Sequence, residues 1–149
     1  MTTEPARIPD RTLPPSHQRE AADEARKRRI LVVDDNETAA ETLACLLDMM
    51  GNETCQANDG RAAVESANRF RPDVVLLDIS LPDIDGYEAA LQIRRSLPNH
   101  PLYLIALSGW DPDAEDPRYQ AAGFGAYLTK PVALATLRQI LDDPQTRPV

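Results

Sequence analysis

The sequence predicts an α/β protein: a doubly wound, five-stranded parallel sheet in the order 2-1-3-4-5, covered by helices on both faces to make three layers. Three observations carry this. Short apolar runs alternate five times with helix-period stretches between residues 30 and 141. The clearest run, VVLL at 74–77, is the continuous Val/Leu type that a strand buried on both faces requires. Repeated βα units of this length force parallel strands joined by right-handed crossovers, so helices must lie on both faces. The order 2-1-3-4-5 is a common solution.

Each element has its own signal. Residues 30–33 form the first apolar run and end at Asp34-Asp35. Asn36 offers an N-cap. Leu43, Leu46, Leu47 and Met50 then recur at helical spacing until Gly51 stops the helix. Residues 53–57 mix polar and apolar side chains, which places this strand at a sheet edge. Asp59-Gly60 turns into a second helix with Ala63, Val64, Ala67 and Phe70 inward. The central strand, 74–78, ends in Asp78 and is followed by the turn residues Pro82, Asp83 and Asp85-Gly86. A third helix over 86–97 buries Ala90, Ile93 and Leu97. Residues 102–107 form a fourth strand leading into Ser108-Gly109. Asp116 and Pro117 read as N-cap and first position of a short fourth helix closed by Gly123. A fifth strand over 126–128 ends at Thr129-Lys130-Pro131, and a last helix buries Leu134, Leu137 and Leu141, with Ile140 alongside.

The chain has 149 residues and a formal net charge of −8. Residues 1–29 carry seven basic and five acidic side chains (+2), and residues 30–149 carry nine and nineteen (−10). An acidic body argues against non-specific contact with nucleic acid or an anionic membrane. Cys45 and Cys55 make neither a metal motif nor a disulfide framework; they read as packing residues and fit a cytoplasmic protein. No stretch approaches a transmembrane helix, and no signal-peptide core opens the sequence. Residues 1–27 read as a disordered or partly helical arm, 28–142 as the folded domain and 143–149 as a short tail. The basic cluster at 26–29 reads as a solvated flank, with a partner contact as the other possibility.

Four of the five strands end in polar groups on one rim: Asp34-Asp35, Asp78, Ser108 and Lys130. Open α/β sheets place their chemistry at this rim. In the order 2-1-3-4-5 the first and third strands are neighbours, so three carboxylates converge. Two carboxylates about 5 Å apart repel by roughly 3 kcal/mol at an effective dielectric near 20. Three such pairs require compensation. Lys130, the only lysine after Lys27, is one candidate. A divalent cation is the other, and an all-oxygen site with few protein ligands suits Mg²⁺.

The segments LVVDDN, VVLLDISLPDIDGYE, LIALSG and GAYLTKP, in that order and spacing, resemble the receiver domain of two-component response regulators over about residues 28–142. The resemblance implies a flavodoxin-like fold and a phosphorelay function. Asp78 resembles the phosphoacceptor. Asp35 and Asp78 resemble direct Mg²⁺ ligands, with Asp34 acting mainly through water and the Ser80 carbonyl completing the shell. Ser108 resembles the switch hydroxyl, Lys130 the lysine that pairs with the phosphoryl group, and Tyr127 the switch aromatic, expected to pack inward behind the serine once the phosphoryl charge is added. The resemblance also implies a cis Lys130–Pro131 bond. Its implied partners are a histidine kinase or histidine phosphotransfer protein and a downstream protein target, without direct DNA binding or a membrane, in a monomer or weak homodimer.

Three features depart from that pattern. Pro112 and Pro117 shorten the fourth helix. Trp110 stands two residues beyond Ser108, where it is expected to slow or reshape dephosphorylation. Ala133 stands where a capping side chain would help start the last helix. Rival readings are an aspartate-nucleophile phosphohydrolase and a binding module that is never phosphorylated. The first wants an acid two residues after the nucleophile, where this chain has Ser80. The intact set of three acids, serine and lysine argues against the second.

Overall fold

A computed structural model describes residues 27–109 and 117–143. Strands and helices alternate throughout: β1 (Arg29–Val33), α1 (Glu37–Met49), β2 (Glu53–Ala57), α2 (Gly60–Phe70), β3 (Val74–Asp78), α3 (Gly86–Ser96), β4 (Tyr103–Ser108), α4 (Pro117–Ala122), β5 (Phe124–Thr129) and α5 (Leu134–Asp142). All neighbouring strands are parallel, in the order β2-β1-β3-β4-β5. The mixed strand β2 is an edge, as its composition predicts.

Alternate side chains of each strand serve opposite faces. Ile30, Val32, Val74 and Leu76 pack with Leu43 and Leu47 of α1 and Leu137 and Leu141 of α5. Leu31, Val33, Val75 and Leu77 pack with Ala63 and Ala67 of α2, Ala90 and Ile93 of α3, and Ala122 of α4. Every residue of β3 is buried, which accounts for its unbroken apolar run.

The helix starts follow capping chemistry. Asn36, Asp59 and Asp85 accept hydrogen bonds from the backbone N–H groups of Ala39, Ala62 and Glu88. Asn36 is the cap expected; Asp59 and Asp85 read in sequence only as turn residues. Gly51, just beyond α1, has φ 98°, the left-handed conformation expected of a C′ glycine. Helix α5 starts at Ala133 with no side-chain cap.

Several details differ from expectation. The inner face of α1 is Ala40, Leu43, Ala44 and Leu47, while Leu46 and Met50 are only half-buried. Small residues let α1 sit close to the sheet, so the contact stripe includes alanines that a search for large side chains passes over. Val64 and Phe70 are likewise half-buried, and so are Leu134 and Ile140 on α5. Cys45 is exposed on α1 rather than packed; Cys55 is half-buried against the core. Strand β5 is twice its expected length, hidden by Gly125 and an exposed alternate face. Arm residues 1–26, tail residues 144–149, Trp110, Pro112 and Asp116 lie outside the described residues.

Candidate functional site

Register brings the carboxylates together. Val33 of β1 pairs with Leu77 of β3, so the next residues, Asp34 and Asp78, emerge side by side at the C-terminal rim. Carboxylate oxygens of Asp34, Asp35 and Asp78 lie within 4.8 Å of one another. Asp34 and Asp78 are 4% and 3% exposed, while Asp35 faces solvent.

Lys130 reaches this cluster from the end of β5. Its Nζ lies 2.8 Å from Asp78 Oδ2 and 3.1 Å from Asp34 Oδ2. The strand end aims it: the Lys130 N–H donates to Ser108 O at 2.7 Å, and the Lys130–Pro131 bond is cis. The second oxygen of each buried acid is met by backbone. Ser80 N–H donates to Asp78 Oδ1 at 2.9 Å, and Asn36 N–H donates to Asp34 Oδ1 at 3.0 Å. These partners satisfy groups whose burial is otherwise costly.

Burial raises the pKa of Asp78 above the ordinary carboxylate value, against the opposing pull of the Lys130 ammonium and the Ser80 N–H; the neighbouring Asp34 charge adds to the rise. Burial pushes the Lys130 ammonium down, but its bonds to Asp78 and Asp34 outweigh that and raise it on balance.

Three carboxylates against one ammonium leave a formal charge of −2. Hard oxygen donors carrying that excess fit a divalent cation of the Mg²⁺ type. Ser108 is buried at the end of β4, and Tyr127 is exposed on β5 (43%). The tyrosine therefore does not pack inward behind the serine in this conformation. Ser80 is exposed, two residues past Asp78.

Three further residues shape the site; the sequence marked Asp83 and Gly86 only as turn residues and gave no sign of Asn58. The Asn58 side chain donates to Asp34 O at 2.9 Å. Asp83 accepts from the backbone of Gly60 and Arg61 at the start of α2. A Cβ on Gly86 would lie 2.5 Å from Asp78 O and from Ile79 Cα, so only glycine lets α3 begin this close to β3.

The response regulator receiver domain family matches residues 30–142. The chain belongs to that family. Protein PilH of Pseudomonas aeruginosa is 32% identical over 114 residues, covering 76% of this chain and 94% of that protein. The polar-differentiation response regulator DivK of Brucella anthropi is 27% identical over 78% of this chain and 98% of its own length. Among solved structures, the receiver domain of a sensor histidine kinase from Pseudomonas aeruginosa is 34% identical, with a TM-score of 0.68 over 77% of this chain and 94% of that one. That domain was crystallised with a magnesium ion coordinated in its active-site cleft. The protein is thus a receiver of two-component phosphorelay signalling with the CheY-like, flavodoxin-like sheet order. Receivers of this kind interact with histidine kinases and downstream targets. No helix among the described residues is long and apolar enough to cross a membrane.

Proposed function

We propose that Asp78 of this receiver accepts a phosphoryl group from a phosphohistidine on a histidine kinase or phosphotransfer protein, in a Mg²⁺-dependent reaction, and that the acyl phosphate changes which proteins the receiver binds. One observation carries this reading: a buried carboxylate, Asp78, stands among two further acids and a lysine at the rim where β1 and β3 meet.

Asp34, Asp35 and Asp78, with the Ser80 carbonyl, would hold the ion; when bound, it neutralises charge on the transferring phosphoryl oxygens. The chain's own groups do the rest. An Asp78 carboxylate oxygen forms the bond to phosphorus as the P–N bond to imidazole breaks, and that electron pair leaves on the imidazole nitrogen. The Ser80 N–H holds the other Asp78 oxygen and orients the attack. Lys130 already sits on Asp78 and moves its bond to the new phosphoryl oxygens. The Ser108 hydroxyl turns to the phosphoryl group, and Tyr127 leaves solvent to pack behind it. Attack of water on the acyl phosphate resets the site. The chain therefore catalyses its own phosphorylation and dephosphorylation but works chiefly as a switch.

The −10 charge of residues 30–149 supports a protein target rather than direct DNA contact. The six-residue α4 supports a monomer or weak homodimer over a symmetric dimer built on that face. A cytoplasmic location follows from the proposed phosphodonor.

The test is intact mass after incubation with acetyl phosphate and Mg²⁺, beside Asp78→Asn. A gain of one phosphoryl group, lost without Mg²⁺ and lost in Asp78→Asn, is expected. No gain from either acetyl phosphate or a phosphorylated histidine phosphotransfer protein would turn the reading to a receiver that signals unmodified.

A further inference from the structure

The carboxylate site lies between two loops, β1–α1 carrying Asp34 and Asp35 and β3–α3 carrying Ser80. A third segment, the β2–α2 turn, ties both. On one side, Asp34 N–H donates to Ala57 O at 3.1 Å, and the Asn58 side chain donates to Asp34 O at 2.9 Å. On the other, Asp83 of the β3–α3 loop takes the first two backbone N–H groups of α2. Gly60 N–H donates to its Oδ1 at 2.7 Å and Arg61 N–H to its Oδ2 at 2.9 Å. The third N–H, that of Ala62, goes to the helix's own cap, Asp59, at 2.7 Å. Of these three N–H groups, one is satisfied by the helix's own cap and two by a loop more than twenty residues away.

Packing locks the same junction. A Cβ on Gly60 would run into the Ile84 side chain, so Ile84, next to Asp83, lies directly on the α2 start. At its far end the loop is tied by Gly86 N–H to Ile79 O at 2.8 Å. The connections run in a chain from Asp34 through Ala57 and Asn58 to Gly60 and Arg61, then through Asp83 back to the loop that leaves Asp78.

We infer that Asp83 is a positioning residue for the carboxylate site: by gripping the start of α2 it fixes the β3–α3 loop against the β1–α1 loop, and so sets the spacing of oxygens on which divalent-cation affinity depends. The inference rests on the reading of Asp34, Asp35, Asp78 and Ser80 as the cation site. Asp83 itself touches no carboxylate of the cluster among its described bonds. Its removal frees two backbone N–H groups and one loop while every proposed ligand stays in place. Groups that orient metal ligands from behind are commonly worth 10–100-fold in affinity.

The experiment is Mg²⁺ titration by calorimetry on the full chain, for the wild type, Asp83→Ala, Asp83→Asn and Asp83→Glu, with melting temperatures and amide hydrogen exchange at Gly60 and Arg61 measured without metal. Asp83→Ala is expected to weaken Mg²⁺ binding about tenfold. Asp83→Asn, which keeps one acceptor oxygen, is expected to fall between it and the wild type. Exchange at Gly60 and Arg61 is expected to be slow in the wild type and to speed up in the same order. A merely structural role would lower the melting temperature and leave the Mg²⁺ affinity of the folded protein unchanged, and that result overturns the inference. Fast exchange at both amides in the wild type also overturns it. If Asp83→Ala does not fold, the Asn variant carries the same comparison. Wild-type protein that binds no Mg²⁺ would instead sink the reading of the site, a result distinct from equal affinities in wild type and variants.

Discussion

The two halves of the C-terminal rim are built differently. At the ends of β1 and β3, buried Asp34 and Asp78 each have both oxygens engaged, one by Lys130 and one by a backbone N–H. At the ends of β4 and β5, Ser108 is buried but Tyr127 stands 43% exposed, on a strand whose outer residues alternate with solvent. The first half is preorganised: its geometry is set on folding, as electrostatic catalysis requires. The second half keeps a large ring outside that burial would reward. On the proposed reading, a phosphoryl charge delivered to the first half is answered by movement in the other, and the exposed ring is the group whose burial that readout would use.

Lys130→Met tests the preorganised half hardest. It leaves three carboxylates with no cation, so both chemistry and fold suffer. Phosphoryl uptake is expected to fall about a hundredfold, as for loss of one charge-stabilising donor. Stability without metal is expected to drop by about 2 kcal/mol, less than a fully buried broken pair because the side chain is about a third exposed. Mg²⁺ should recover much of that stability, since it replaces the lost charge. Denaturant melts with and without Mg²⁺ check this. Gly86→Ala comes next. Its new methyl meets fixed backbone at Asp78 and Ile79, so α3 must move away. A cost of about 1–3 kcal/mol is expected from overpacking, with slower uptake because the Asp78 end of β3 shifts.

The same contrast explains what the sequence revealed. The buried half announces itself, because a strand covered on both faces must be apolar and its charged end cannot hide: VVLL into Asp78 is legible, and so are Asp34, Asp35 and Lys130. Strand β5 is half-exposed and interrupted by Gly125, so its sequence understates its length. The supporting residues leave the weakest trace in the sequence. Asp83, Asn58 and Gly86 act through contacts between separate loops, and a single sequence shows only that each is a good turn residue. Ala40 and Ala44 do not stand out in the sequence, because close helix–sheet approach selects small side chains that carry little apolar signal.

A smaller effect separates the support of the first half from its chemistry. Some desolvation opposes ionisation of Asp83, but the backbone N–H groups of Gly60 and Arg61 outweigh it and hold its pKa at about 2, below the ordinary 3.8. The unfolded chain therefore binds more protons than the native one between those values. Its contribution to stability is present above about pH 4 and is lost as pH falls through 2. Asp83→Asn is expected to lower stability at neutral pH and to converge with the wild type toward pH 2. Urea midpoints along an acid series measure it. Parallel curves across that range would mean the grip is absent in solution.

The least effect is expected in the other half. Tyr127→Ala removes a ring that is 43% exposed, so stability should fall by only about 1 kcal/mol. Phosphoryl uptake by Asp78 should stay within about twofold of the wild type, since the group-transfer geometry is complete without the ring. The readout should suffer instead: difference spectra between the phosphorylated and unphosphorylated forms are expected to shrink, because the ring that changes surroundings is gone. A tenfold slower uptake in Tyr127→Ala would mean that the ring's position already biases the carboxylate end before any phosphoryl group arrives, and the two halves of the rim would then be one coupled unit rather than a fixed site and a movable reporter.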